Sequence, residues 1–314
     1  MDLPLDRGLS FGLHTRMDTP RLVREAVTIA ERFGYDAITL GDHLSFATPI
    51  LDPLIQLGAA AALTDKVTMV SAVYLLPLRH PGPVAKQVAT LDHIAGGRLI
   101  FGGGVGGEFA SDYEAAGVPI GERGARLSEG IEVLRKLWSG EKVSHDGRFY
   151  PFRDVQMLPA PVQPGGPPIW CGGRSDAALR RAAQQGDGWI SYVVTPAMFR
   201  AGLEKIDGFA RQSGRKLARF GSAHALFARL GPTREEALDE AAKHLSVRYA
   251  MDFRKAADRY CALGRPADVA ETVRAFHAAG ARSLMLDMIG TPEERQGQLQ
   301  QFAEEVMPLV ADLR

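Results

Sequence analysis

A carboxylate and a histidine stand side by side directly after a short apolar segment, where Asp42 and His43 follow residues 36–41. A histidine at the end of a strand can donate a hydrogen bond or a proton to a ligand anion near neutral pH, and a neighbouring carboxylate can hold the loop or tune the imidazole. The alternative is a hydrogen-bonded histidine with no part in catalysis. No H-E-x-x-H motif occurs and the other histidines are scattered, so the sequence predicts no metal site.

Residues 102–107 form a glycine-rich segment, Gly-Gly-Gly-Val-Gly-Gly, which satisfies the G-x-G-x-x-G dinucleotide fingerprint. That fingerprint requires the glycines to open a helix directly, whereas the sequence predicts the next long helix only near Glu122. We therefore interpret Gly106 and Gly107 as positions where the backbone approaches a ligand closely. Glu108 follows them and can act as a general acid or base if it is partly desolvated; a solvated loop carboxylate is the alternative.

A second glycine pair, Gly172 and Gly173, is followed by Arg174 and Ser175 at the predicted start of a helix over residues 176–185. Free amides at a helix start, next to a glycine loop, make a site for an anion such as a phosphate. Arg174 can add a charge-assisted contact. A plain strand-to-helix turn with Ser175 as the N-cap is the alternative, and the residues alone leave both interpretations open.

Residues 8–12 match the G-x-S-x-G pattern of hydrolases, which requires a sharp turn between a strand and a helix. Here the apolar pattern continues as one strand through His14. The sequence therefore predicts that Ser10 is a strand residue and not a nucleophile.

Short apolar segments alternate with segments of helical periodicity along the chain, and these elements must position the residues above. Strands joined by helices require parallel pairing through crossover connections. A closed (β/α)8 TIM barrel and an open doubly wound sheet both satisfy this, but eight strands and a length near the roughly 250 residues of a barrel plus one insertion favour the TIM barrel. The predicted strands are 9–14, 36–41, 67–75, 98–103, 168–172, 188–194, 221–228 and 282–289. The predicted helices are 20–33, 52–63, 84–94, 123–138, 176–185, 196–213, 234–250, 267–279 and 293–313.

Residues 139–167 are predicted to form an insertion before the fifth strand, with a β-hairpin that turns at Asp146 and Gly147. No low-complexity linker divides the chain, so we expect a single domain over residues 1–314. In a barrel, the reactive residues come from the carboxyl ends of the strands and the loops that follow them. The candidate residues fall at those positions.

Composition excludes several classes of protein. Lys and Arg number 37 and Asp and Glu number 37, and the resulting net charge of zero argues against a nucleic-acid partner. Cys171 and Cys261 are too few for a disulfide framework and suit a reducing compartment. The start of the chain lacks the pattern of a signal peptide, and no apolar stretch reaches the roughly 18 residues that span a bilayer. We therefore expect a soluble, cytoplasmic protein without a membrane partner.

Taken together, the motifs resemble those of the bacterial luciferase-like monooxygenase superfamily, a group of flavin- and deazaflavin-dependent (β/α)8 enzymes. The resemblance extends over nearly the whole chain and is specific for the superfamily, but less so for the substrate or the flavin. The segments that carry it are 75–81 (Leu-Leu-Pro-Leu-Arg-His-Pro), 95–99 (Ala-Gly-Gly-Arg-Leu), 106–109 (Gly-Gly-Glu-Phe), 117–119 (Gly-Val-Pro), 122–126 (Glu-Arg-Gly-Ala-Arg), 168–173 (Pro-Ile-Trp-Cys-Gly-Gly) and 186–189 (Gly-Asp-Gly-Trp).

The resemblance implies a cofactor ring at the carboxyl face of the barrel. Asp42 and His43 match the Asp-His pair that members using coenzyme F420 place beside the reactive face of the ring. Ala72 and Val73 fall where such members have a non-prolyl cis peptide against the middle of the ring. An aromatic residue that follows the Asp-His pair in some of these enzymes corresponds to Phe46 here, or is missing.

The resemblance also assigns the cofactor phosphate to two loops, which agrees with the anion site suggested by the residues themselves. Glu108 matches an active-site carboxylate of the deazaflavin-dependent dehydrogenases, although its flanking residues differ. The lysines with which some relatives bind a sugar phosphate have no counterpart here, so a phosphosugar substrate is not predicted. The residues implied at the phosphate are Gly106, Gly107, Gly172, Gly173 and Ser175.

We predict an oxidoreductase that transfers hydride between coenzyme F420 and a small, apolar organic substrate, with His43 or Glu108 supplying the accompanying proton. The alternative is a two-component monooxygenase that uses O2 and reduced FMN from a partner reductase. A barrel that binds flavin without catalysis is the second alternative. A separate flavin or F420 reductase is expected for either enzyme, and the resemblance alone implies a homodimer.

The apolar substrate is suggested by five residues in segments that we expect to form the pocket walls. Core packing explains these residues equally well. They are Phe46, Phe227, Leu230, Tyr249 and Phe253.

Overall fold

Eight parallel strands close into a barrel in the computed structural model, which describes residues 1–15, 17–107 and 109–314. Each strand pairs with the next around the ring, and the last pairs with the first. The predicted TIM barrel is therefore confirmed. The barrel strands, numbered with all strands along the chain, are β1 (Ser10–His14), β2 (Ala37–Leu40), β3 (Thr68–Ser71), β4 (Leu99–Gly103), β7 (Ile169–Gly172), β8 (Gly188–Tyr192), β9 (Gly221–Leu230) and β11 (Ser283–Met288).

Three further strands lie outside the barrel. β5 (Lys142–His145) and β6 (Phe152–Gln156) form the predicted antiparallel hairpin, which lies before the fifth barrel strand. Glu129 ties this hairpin to the barrel, because its carboxylate accepts the backbone N–H groups of Phe149 at 2.8 Å and Tyr150 at 2.7 Å. The third, β10 (Ala262–Gly264), pairs with the end of β9 and was not predicted.

The helices that alternate with the strands begin and end largely at the predicted signals. Thr19, Thr195 and Thr291 each cap a helix that starts with proline, and Gly34 ends the first helix with a φ of 71°. The helices are α1 (Pro20–Phe33), α2 (Pro53–Ala61), α3 (Pro81–Ile94), α4 (Ala110–Ala116), α5 (Arg123–Trp138), α6 (Asp176–Gln185), α7 (Pro196–Gln212), α8 (Arg234–Tyr249), α9 (Arg254–Tyr260), α10 (Pro266–Ala278) and α11 (Pro292–Gln301).

Several predicted elements differ from the observed ones. The short helices α4 and α9 were not predicted, and the strand predicted over 67–75 ends at Ser71, with one further bridge from Tyr74 to Gly103. The helix predicted over 293–313 is α-helical only to Gln301 and continues as a π-helical turn and a 3₁₀ segment. Pro308 lies in that last segment, and it lacks the N–H that an α-helix would use there.

The centre of the barrel is filled by one apolar layer. It is a cluster of buried residues, one from each of six barrel strands. Because side chains alternate along a strand, the residues two positions further on also face the interior, nearer the carboxyl ends. This second layer forms the mouth of the barrel. The filling layer consists of Ala37, Val70, Trp170, Ile190, Ala223 and Met285. The residues two positions further on are Thr39, Ala72, Gly172, Tyr192, Ala225 and Asp287.

Candidate active site

His43 lies in the loop after β2 and is oriented by a buried carboxylate. Its Nδ1 is 2.8 Å from Oδ2 of Asp112, which lies on α4 and is fully buried. The other oxygen of Asp112 accepts the backbone N–H groups of Leu44 at 2.7 Å and Ser45 at 2.8 Å. Since an ionised carboxylate only accepts hydrogen bonds, it orients the ring with the proton on Nδ1 and leaves Nε2 for other chemistry.

The face of the His43 imidazole is covered by aromatic rings. Phe46 stacks on it with centroids 4.4 Å apart, and Phe109 meets its edge at 5.5 Å. Phe46 also contacts Tyr249, at the end of α8, with centroids 6.1 Å apart. Phe46 therefore lies against the histidine, and its equivalence to the aromatic residue of the relatives stays a prediction. Together the rings cover part of the His43 side chain.

Asp42 is buried beneath this loop and binds protein groups. Both of its oxygens pair with the guanidinium of Arg79, with Nη2 at 3.0 Å from Oδ1, and Oδ2 also accepts the backbone N–H of Leu75 at 2.9 Å. Burial raises the pKa of Asp42, and the hydrogen bonds from Arg79 and Leu75 only partly oppose this rise. These contacts place Asp42 as an anchor for the segment after β3, and its contact with a cofactor stays a prediction.

The peptide bond between Ala72 and Val73 is cis, as the resemblance implies. The half-buried Val73 side chain lies at the mouth and fits there because two neighbours are glycines. A Cβ on Gly172 would lie 2.7 Å from Val73 Cγ1, and a Cβ on Gly104 would overlap Val73 Cγ2. Gly172 therefore has a steric role at the mouth in addition to its predicted place near the phosphate.

Gly106 and Gly107 have φ angles of 57° and 114°, which favour glycine. Within the described part of the chain, their backbone N–H groups donate to no acceptor. A Cβ on Gly107 would lie 3.2 Å from Nε of Arg123, so a guanidinium lies against this turn. Arg123 belongs to the segment 122–126 that carries the resemblance, but the sequence assigned it no role. It follows Gly107 by sixteen residues. Glu108, the predicted acid or base, lies outside the described residues.

The second loop is a capped strand-to-helix turn. The N–H of Gly173 donates to the carbonyl oxygen of Ile190 at 3.2 Å, so Gly173 has no free amide for an anion. Ser175 caps α6 by accepting the N–H of Ala178 at 3.3 Å. Arg174 is exposed and donates from Nη1 to the carbonyl oxygen of Val193 at 2.8 Å. An anion here would meet the first-turn amides of α6 and the rest of the Arg174 guanidinium.

A polar cluster that the sequence did not select lies across the mouth. His14 Nδ1 is 3.1 Å from Thr39 Oγ1, and Arg248 Nη1 donates to Asp287 Oδ2 at 2.6 Å. Burial acts to raise the pKa of Asp287, but the charges of Arg248, His14 and Arg295 outweigh it and leave the pKa below its ordinary range. Burial lowers the pKa of His14, and the charge of Asp287 offsets only part of that effect.

The described residues form neither a metal site nor a membrane-spanning helix. No group of three or more His, Cys, Asp or Glu side chains in the described ranges is placed to hold a metal ion. No described helix is both long and apolar enough to span a membrane.

The mouth has features that fit a flat cofactor with an anionic tail. Val73 offers an apolar surface at its centre, since no Cβ projects from the neighbouring glycines. The turn at Gly106 and Gly107 offers amides that donate to no acceptor in residues 1–15, 17–107 and 109–314, next to the guanidinium of Arg123. A parallel eight-stranded barrel with these groups and His43 at its carboxyl face fits a TIM-barrel enzyme, with His43 as the candidate acid–base residue.

Comparison with known proteins identifies the family. Residues 8–307 match the luciferase-like monooxygenase family, so the chain belongs to that family, as the sequence predicted. The fold of the crystal structure of the monooxygenase RslO1 from Streptomyces bottropensis superposes with a TM-score of 0.81 at 24% identity, covering 96% of this chain and 100% of the other. At that identity the likeness concerns the fold.

Curated relatives match at modest identity. An uncharacterized protein of Mycobacterium tuberculosis is 35% identical over 181 residues, which are 51% of this chain and 62% of the relative. The chain thus spans less than two thirds of that relative's length. The F420-dependent glucose-6-phosphate dehydrogenase of Nakamurella multipartita is 27% identical over 329 aligned positions, covering 92% of both chains.

Proposed function

We propose that this protein transfers hydride between coenzyme F420 and a small organic substrate with an apolar skeleton. The observation that carries the proposal is the orientation of His43, whose Nδ1 is held by Asp112 while Nε2 remains for a proton. A relative that is similar over nearly its whole length is named as F420-dependent, which supports the choice of cofactor.

Different residues of the chain would transfer the proton and exclude water. His43 Nε2 would hold or release the proton that accompanies hydride transfer, and Asp112 would keep Nδ1 protonated throughout. Phe46, Phe109 and Tyr249 would exclude water from this proton, because they cover the imidazole. When bound, the deazaflavin supplies the centre that gives or takes the hydride.

Other residues would hold the cofactor. Val73 would support the ring, with Gly104 and Gly172 providing the room that its side chain needs. The anionic tail would be bound by the amides at Gly106 and Gly107 and by the guanidinium of Arg123. A separate reductase would return the cofactor to its starting redox state, because the proposed reaction of this chain changes that state in one direction only.

Titration with each cofactor tests the proposal. Purified protein is mixed with oxidised F420 and, in parallel, with FMN, and binding is followed by fluorescence and absorbance. We expect F420 to bind more tightly than FMN. Tight binding of FMN with no detectable binding of F420 would overturn the proposal in favour of a two-component monooxygenase, and binding of neither cofactor would overturn both.

A further inference from the structure

The ion pair at the mouth contains two buried atoms that lack hydrogen-bond partners. Arg248 Nη1 donates to Asp287 Oδ2, while Arg248 Nη2 and Asp287 Oδ1 make no hydrogen bond within the described part of the chain. Asp287 is only 8% exposed. Buried polar atoms in folded proteins are nearly always paired, so a donor and an acceptor left open on the same ion pair call for a ligand group.

The pair lies on the interior side of the barrel near His43. Asp287 is two residues after Met285, which belongs to the layer that fills the barrel, so its side chain also points inward. Its strand β11 pairs with β1, which carries His14, and β1 pairs with β2, which leads to His43. His14 itself is half-buried, so part of its surface is exposed beside the pair.

Apolar surface adjoins the pair on the α8 side. The Arg248 guanidinium lies over the ring of Phe227 with 5.8 Å to the centroid. The rings of Phe227 and Tyr249 meet edge to face, with centroids 6.3 Å apart. The Tyr249 side chain also makes a hydrogen bond with Arg248, so a ligand that reaches the pair contacts this hydroxyl as well as aromatic rings.

The two open atoms belong to groups of opposite charge. Arg248 is cationic and Asp287 is anionic, and the charge of Arg295 also acts on Asp287 and His14. A ligand carboxylate would meet the open oxygen of Asp287, and a ligand ammonium would meet the open nitrogen of Arg248. Either charge would be repelled by one member of the pair, so the cluster favours a neutral group.

We propose that Arg248 and Asp287 bind a hydroxyl group carried by an apolar substrate. The hydroxyl oxygen accepts a hydrogen bond from Arg248 Nη2, and the hydroxyl hydrogen is donated to Asp287 Oδ1. A hydroxyl is the smallest neutral organic group that both accepts and donates in this way. The inference rests on the proposed function only in taking the mouth of the barrel as the substrate site.

Binding to the cofactor-free protein tests the inference separately from the choice of cofactor. Cyclohexanol, cyclohexanecarboxylate and cyclohexylammonium are added at equal concentrations, and the melting temperature is measured. We expect cyclohexanol to raise the melting temperature and the two charged analogues to leave it unchanged. Equal shifts for all three, or no shift with cyclohexanol, would overturn the assignment, whatever the F420 titration shows.

A double variant, Arg248→Met with Asp287→Asn, removes both charges at once and so leaves no unpaired buried charge. We expect about tenfold weaker cyclohexanol binding, the loss from one charge-assisted hydrogen bond or more. We also expect unchanged or increased resistance to urea, because a buried ion pair with open atoms adds little stability. Arg254→Met with Asp239→Asn is the matched control. Arg254 Nη1 and Asp239 Oδ1 are 2.5 Å apart and both side chains are exposed, so this variant should change neither cyclohexanol binding nor resistance to urea.

The two measurements on the double variant separate a ligand site from a structural clamp. If the double variant unfolds at much lower urea than the wild type, the ion pair stabilises the fold. If the double variant binds cyclohexanol with wild-type affinity, the open atoms of the pair do not contact the ligand and bind at most a trapped water. Either result would overturn the inference. If the double variant does not fold at all, the ion pair is required for folding, and the inference is overturned as well.

Discussion

His43 and Asp112 are 69 residues apart in the sequence, yet Nδ1 of the one lies 2.8 Å from Oδ2 of the other. The contact joins the loop after β2 to the short helix after β4. Because Asp112 also accepts two backbone N–H groups from that loop, it fixes the position of the histidine as well as the proton on its ring. The histidine of the candidate site is thus held in place by residues from two crossovers of the barrel.

Replacing the Asp112 carboxylate should change the tautomer of His43 without abolishing cofactor binding. In Asp112→Asn, the side-chain amide can still accept from the loop, but its NH2 group would face Nδ1 and favour the opposite tautomer of His43. We expect turnover of F420 to fall about 100-fold, a typical loss for a misplaced acid–base group, with F420 affinity nearly unchanged. Absorbance kinetics measure the first quantity and fluorescence titration the second.

A structural readout accompanies this prediction. Nitrogen-15 NMR of labelled histidine should show the His43 signal change from the Nδ1–H to the Nε2–H tautomer in Asp112→Asn, with His43→Ala used to assign the signal. Asp65→Asn, a change at an exposed position, is the control and should leave the spectrum as it is. An unchanged tautomer would remove Asp112 from this positioning role.

The fold followed from the sequence because the barrel repeats one local pattern. Eight apolar segments with helices between them, and helix starts such as Thr19 with Pro20, are signals that act over a few residues. Asp112 escaped detection because helix α4 has only seven residues, which is too short for a periodic pattern to show. Its carboxylate matters only through a contact with a residue far away in the sequence.

The same limit explains why the contacts at the predicted phosphate loops and in the polar cluster were not visible in the sequence. The glycines were visible as a motif, but the use of the Gly173 amide within the barrel depends on its neighbour strand, and so does the position of Arg123 against Gly107. The pairing of Arg248 with Asp287 joins the end of α8 to the end of β11. No spacing rule connects residues that meet only when the barrel closes.

A buried histidine outside the mouth should make stability depend on pH. His224 contacts Ser191 through Nδ1 at 2.8 Å and stacks on Phe276, and burial lowers the pKa of His224 to about 3. Between pH 6.5 and pH 3 the unfolded chain binds a proton there that the folded chain does not. The free energy of unfolding should therefore fall as the pH falls, by about 1.4 kcal/mol per pH unit from this residue alone.

Urea unfolding at several pH values measures this slope. His224→Gln keeps a polar partner for Ser191 but does not titrate, so its curve should be flatter below pH 6 than that of the wild type. His93→Gln changes an exposed histidine and should keep the wild-type slope. Parallel curves for the wild type and His224→Gln would contradict the prediction.

The space that Gly104 leaves for the Val73 side chain can be tested by placing a methyl group there. In Gly104→Ala, the new methyl group would overlap Val73 Cγ2, and the β-branched side chain cannot turn away freely. We expect a loss of about 1–3 kcal/mol in the free energy of unfolding and weaker cofactor binding. Adding Val73→Ala to the same chain should restore much of the stability. Gly208→Ala, with nothing within 4 Å of its Cβ, should instead leave stability unchanged or slightly raised.

The contribution of Arg123 to anion binding can be separated from general effects on the pocket by comparing ligands with and without a phosphate. Arg123→Met keeps the unbranched apolar part of the side chain and removes the charged guanidinium, so it should weaken binding of FMN or F420 about tenfold, the value of one charge-assisted hydrogen bond. Binding of riboflavin, or of the phosphate-free deazaflavin core, should not change, because neither has a group for the guanidinium to contact. Arg174→Met, measured alongside, should have a smaller effect, since the Gly173 amide beside Arg174 already donates to the carbonyl oxygen of Ile190. Equal losses for ligands with and without phosphate would show that Arg123 supports the loop and does not contact the anion.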